Sequence, residues 1–168
     1  MFLERSGAGS PPLVFIHGFT CSHEDWEAQR RALEATHEVI ACDLPGHGRT
    51  PARLEDASIE HFGREVAQLL STPSILIGHS MGCRVALQAA ALRPDAVAGL
   101  VLVDGSRVGV GDPAQAQAAV RAQIEAKGFG AFNEAFFAGM VFRPLPGADA
   151  LLARAKRMPE DFGTALFL

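Results

Sequence analysis

With 168 residues, 48% of them hydrophobic and 20% charged, the chain can bury one sizeable core and has the ordinary balance of a soluble globular protein. A formal net charge of −4 offers no broad attraction for phosphate backbones, which argues against nucleic acid as a partner. Apolar runs such as Leu100 to Val103 are far too short to span a bilayer, and Met1 to Gly9 has no apolar core with a small-residue cleavage site, so neither a membrane partner nor a signal peptide is expected.

In chain order, Phe2 to Arg5 reads as a short edge strand and Leu13 to Ile16 as the first clear strand. Glu24 to Ala35 follows as a helix with Trp26, Arg30 and Leu33 on one face. Val39 to Cys42 is the next strand. Ser58 to Leu70 is a helix whose Ile59, Phe62, Val66, Leu69 and Leu70 recur at spacings of three and four. Ile75 to Ile77 is a strand, Gly82 to Leu92 a helix and Val97 to Val103 a strand. These strands are near-continuous apolar runs rather than alternating ones, the pattern of strands covered by helices on both faces. Alternation with helices predicts an α/β fold, a doubly wound and mostly parallel sheet whose reactive residues sit at the carboxyl ends of its strands. After Val103 the alternation stops. Pro113 to Lys127, Phe129 to Phe142 and Asp149 to Met158 read as helices, the last two separated by Arg143-Pro144-Leu145-Pro146-Gly147. The expected organisation is a core over 1–106 and an incomplete helical lid over 107–168.

Cys21, Cys42 and Cys83 are odd in number and lack metal-ligand spacing, so three reduced thiols in a cytoplasmic protein are expected, with no metal or cofactor. Chemistry points instead to Gly78-His79-Ser80-Met81-Gly82, which follows a strand and opens a helix. That context makes G-x-S-x-G a nucleophile elbow: the serine sits on a sharp turn with its hydroxyl above the sheet, and small neighbours permit the close strand–helix crossing. The helix N-terminus behind Ser80 supplies a positive dipole end and free N–H groups. A bare match of this kind arises by chance often enough that the strand–turn–helix setting carries the weight.

Together with His17-Gly18-Phe19, Trp26 downstream and Asp43-Leu44-Pro45-Gly46-His47-Gly48, the elbow makes the chain resemble the α/β-hydrolase superfamily over nearly its whole length. The resemblance implies an oxyanion hole from the backbone N–H groups of Phe19 and Met81, a bracing role for His17, and a loop from Pro45 to Gly48 bordering the site. A serine at position 80, rather than aspartate, argues against dehalogenases and epoxide hydrolases and implies an acyl-enzyme formed on a small-molecule carboxylic ester. Asp104 ends a strand where some family members keep the triad acid; its competing role is a turn with Gly105 and Ser106.

In this fold the triad runs serine, acid, histidine. The six histidines are His17, His23, His37, His47, His61 and His79, and none follows Ser80. The expectation is therefore a truncated chain, ending inside the lid, which is nearly inactive and associates through the open edge of the strand Val97 to Val103. Two other readings stay open. The elbow and Arg84 also resemble a menaquinone-pathway synthase of this fold, a lyase in which Arg84 would hold a carboxylate substrate. A non-catalytic binding protein would keep the pocket and dispense with the base. Seven of the eleven phenylalanines fall at or after Phe129, and Phe129, Phe132, Phe136 and Met140 share a helical face, a stripe that serves core packing or an apolar acyl group.

Overall fold

The computed structural model of the chain describes residues 1–105, 111–140 and 147–168. Its five-stranded sheet runs in the order β1 (Phe2–Ser6), β3 (Val39–Asp43), β2 (Leu13–Ile16), β4 (Ser74–His79), β5 (Val97–Val103). β1 is antiparallel to β3, with Phe2 opposite Asp43, and every other pairing is parallel. The apolar runs of β2 and β3 are buried at every position, as continuous hydrophobicity predicts for strands covered on both faces.

β5 departs from that pattern. It is equally apolar, but among the described residues it pairs only with β4, and Leu100, Val101 and Val103 remain 39%, 47% and 39% exposed. Among the described residues nothing pairs with the edge expected to lie open, and the faces of the strand are also partly uncovered.

Helices α1 (Glu27–Leu33), α2 (Ile59–Leu69) and α3 (Met81–Leu92) connect the strands. In α2 the Ser58 hydroxyl accepts the His61 N–H at 3.1 Å, and Phe62, Val66 and Ala67 face inward. The single helix expected over Glu24 to Ala35 is instead a 3-10 turn, His23–Trp26, running into α1. Trp26 is buried by the turn, against Phe15, and α1 buries no residue. Glu27 and Arg30 hold α1 on its outer face, their side chains 2.7 Å apart.

Beyond β5 lie α4 (Pro113–Lys127), α5 (Phe129–Ala138), α6 (Ala148–Ala155) and α7 (Glu160–Phe167). α4 has the bounds its sequence predicts. α7 was not anticipated: Glu160 and Asp161 in its first turn suit a helix start, but its inward residue Phe162 is recognisable only from its packing beside Phe62. The predicted break at 143–146, Phe142, Ser106 and the expected boundary at 106/107 lie outside the described residues. One hydrophobic cluster joins Val14 of β2, Phe62 of α2 and Val85 of α3 to Phe129, Phe132 and Phe162, so the late helices pack into the same core. Among the described residues no helix is long and apolar enough to cross a membrane.

Candidate active site

β4 ends at His79, α3 begins at Met81, and Ser80 alone makes the turn, with φ 50° and ψ −116°. A positive φ is costly for any residue with a Cβ and persists only where the surroundings enforce it. The enforcement is visible. Ser80 N–H donates to the Val103 carbonyl of β5 at 2.9 Å, and the Ser80 carbonyl accepts the Cys83 N–H at 3.0 Å. A Cβ on Gly78 would overlap the Gly82 carbonyl, and one on Gly82 would overlap the carbonyls of Ile16 and His17. The small residues of the motif thus allow β2, β4 and α3 to converge, and the hydroxyl-bearing residue is left half-buried at the carboxyl end of the sheet.

Gly18, at the end of β2, brings the next loop against the elbow; a Cβ there would lie 3.3 Å from Ser80 Cβ and 3.1 Å from His79 Nδ1. Among the described residues the N–H groups of Phe19 and Met81 have no hydrogen-bond partner, the condition of donors left over for a ligand. The ring of Phe19 is enclosed by Phe129, Phe137 and Phe167, the last with centroids 4.7 Å apart.

His17 braces this loop. Its Nδ1–H donates to the Gly18 carbonyl at 2.8 Å and its Nε2 accepts the Leu44 N–H at 3.0 Å, which fixes a neutral tautomer. The His47 ring lies tilted beside it, centroids 4.9 Å apart, and donates from Nδ1 to the Pro45 carbonyl. Burial lowers the pKa of His17 to about 4 and that of His47 to about 3. A third buried contact was not anticipated. Asp43 accepts His23 N–H at 2.7 Å, His23 Nδ1–H at 2.8 Å and Arg49 N–H at 2.8 Å, tying together the loops that follow β2 and β3. Its sequence signal is only Asp43 at a strand end; the partner histidine lies 20 residues away.

Asp104 stands at the end of β5 in the left-handed region, φ 49°, with its side chain exposed. The neighbouring Gly105 abuts Cys83 Sγ and the Ser80 carbonyl, so this end of β5 lies against the elbow. The structure brings Ser80, Phe19 and Asp104 to one end of the sheet. Arg84 points outward from α3 and is exposed. No histidine hydrogen-bonds the Ser80 hydroxyl among the described residues. The three cysteines are free thiols, and burial raises the pKa of Cys21 and Cys42 to about 12.

A mostly parallel sheet with a positive-φ serine between an interior strand and its following helix defines an α/β protein with a sharp strand–turn–helix elbow. Residues 13–167 match the alpha/beta hydrolase family, and the chain belongs to that family. Over 113 residues it is 38% identical to the pimeloyl-(acyl-carrier protein) methyl ester esterase of Methylococcus capsulatus, covering 67% of this chain and 44% of that protein. Over 112 residues it is 38% identical to the dihydrolipoyllysine-residue acetyltransferase component of the acetoin cleaving system of Pseudomonas putida, covering 64% of this chain and 30% of that protein. The chain therefore spans less than half the length of these relatives. Among solved structures, it superposes on a thermophilic esterase from Thermogutta terrifontis with a TM-score of 0.77 at 26% identity, covering 98% of this chain and 64% of that one. The esterase EaEST of Exiguobacterium antarcticum shares the fold with a TM-score of 0.83 at 19% identity, covering 99% of this chain and 67% of that one.

Proposed function

We propose that this fold serves hydrolysis of small-molecule carboxylic esters, with Ser80 as the nucleophile and the Phe19 and Met81 N–H groups as the oxyanion hole. The observation that carries the reading is the φ of 50° at Ser80, at a turn where a serine hydroxyl can face an ester beside unpaired N–H groups. Asp104 belongs to the same reading as the acid of the site, and the helices from α4 onward as its lid. Esterase relatives support the substrate class.

Attack forms a bond from Ser80 Oγ to the acyl carbon, expels the alkoxide or phenolate, and releases the serine proton to a base. Among the described residues no histidine hydrogen-bonds that hydroxyl, so slow turnover is the expected outcome for this chain. In a serine triad the loss of the histidine alone costs about 10⁶ in kcat. Deacylation needs the same base, so an acyl group that does reach Ser80 persists. Incubation with p-nitrophenyl butyrate followed by peptide mass spectrometry is expected to find the butyryl adduct on the peptide carrying Ser80 and to lose it in Ser80→Ala. Steady turnover by the chain should be slow and little changed by Ser80→Ala. An adduct elsewhere, with none on the peptide carrying Ser80, rejects Ser80 as nucleophile. Rapid turnover abolished by Ser80→Ala and by one histidine substitution would mean that a rearranged triad exists.

A further inference from the structure

A cavity of about 440 Å³ lies between the loops that follow β2 and β3 and the helix α6, and neither Ser80, Phe19 nor Met81 lines it. That volume is within the range of small-molecule sites, roughly 300–1,000 Å³. Its polar wall is cationic from two directions. Arg49 enters from the loop after β3; Arg154 and Arg157 enter from α6 and the turn beyond it. Glu24 is the acidic residue in the lining, apart from which Asp25 and Asp43 act from behind the wall.

The arginines are held in place. Asp43 takes the Arg49 N–H at 2.8 Å, and the Arg49 guanidinium lies 4.6 Å over the Phe2 ring. Arg154 pairs through Nη2 with Asp25, whose carboxylate also accepts the Ser22 N–H at 2.8 Å. Arg157 reaches the Ala153 carbonyl through Nε. Among the described residues neither Arg49 nor Arg157 has a carboxylate partner within 4.0 Å. The wall also has unused hydrogen-bonding capacity: Thr20 Oγ1 and Arg154 Nε are buried without a protein partner. Thr20 is 4% exposed and stands at φ 57°, a strained setting for a β-branched residue. Ala150 and Met158 supply apolar surface between these groups.

We propose that this cavity binds a small organic oxyanion, a carboxylate or a phosphate, recognised by the guanidinium groups of Arg49, Arg154 and Arg157. Guanidinium forks match both groups, and charge-assisted hydrogen bonds to positioned donors are the stronger kind. The site is separate from Ser80, so it stands whether or not the esterase reading does.

Titration calorimetry of the full chain with succinate and, separately, with inorganic phosphate tests it at low salt. Saturable one-to-one binding of at least one is expected, and comparison of the two separates a carboxylate site from a phosphate site. Arg157→Gln, a change at an exposed residue, should weaken that binding about tenfold or more, as should Arg49→Gln, while Ser80→Ala leaves it unchanged. A urea midpoint for Arg157→Gln equal to that of the unsubstituted chain shows that folding is intact. Absence of saturable binding by both anions overturns the proposal, and so does binding that Arg157→Gln leaves at full strength.

Discussion

Lowering the pH from 7 to 5 should destabilise the chain through His17 and His47. Both imidazoles are buried and neutral, and their hydrogen bonds leave no room for a second proton on His17: Nε2 is occupied by the Leu44 N–H. In the unfolded chain each returns to an ordinary pKa near 6.5. Between that value and the folded values of about 4 and about 3, the unfolded state binds the extra protons. Stability is thus fully present above pH 6.5 and is lost as pH falls toward the folded values.

At pH 5 the folded chain still holds both rings neutral, so the loss is set by protonation of the unfolded chain. It is about 2 kcal/mol for each histidine, about 4 kcal/mol together, against a typical total of about 5–15 kcal/mol. Carboxylates titrate mostly below this window. Urea unfolding at half-unit steps of pH measures the slope. His47→Asn keeps a donor near the Pro45 carbonyl and removes one titrating group, so its stability should fall with pH about half as steeply. A variant slope equal to the original, or stability that rises on acidification, would refute the reasoning.

Gly82→Ala should destabilise by about 1–3 kcal/mol or more in urea, because the new Cβ meets two backbone carbonyls that cannot move aside; an unchanged midpoint would contradict that geometry. Cys21 and Cys42 should react with a disulfide reagent at pH 8 far more slowly in the folded chain than in urea, since burial holds both thiols protonated; fast native labelling of both would count against it. The uncovered β5 edge should drive self-association at high concentration, and Val101→Lys should reduce it; sedimentation velocity showing a monomer throughout would dismiss that edge as a contact.

What the sequence discloses here is whatever depends on neighbours in the chain. Ser58, with apolar residues three and four apart behind it, specifies α2 without reference to anything distant, and Gly78 to Gly82 specifies a turn whose strain appears where the motif puts it. The misread segments are those decided across long separations. Glu24 to Ala35 has a helical pattern throughout. Yet His23 is held by Asp43 from another loop, and Trp26 turns in against Phe15, so the first turn tightens to 3-10 and the remaining helix is left outside the core. The cationic cavity was not legible for the same reason. Arg154 meets Asp25 across 129 residues, and no local spacing brings the two together.

β5 shows the limit from the other side. Val97 to Val103 has the same apolar character as the buried strands, and that character alone would give both its faces the same cover. Burial of a strand on both faces is a property of what lies beside it, not of its own residues. The hydrogen bond from Ser80 N–H to Val103 makes this matter to the site, because the strand that fixes the elbow is the least covered strand of the sheet. Local opening at β5 therefore releases one of the restraints that hold Ser80 at positive φ, and the stability of the elbow is tied to whatever covers that edge.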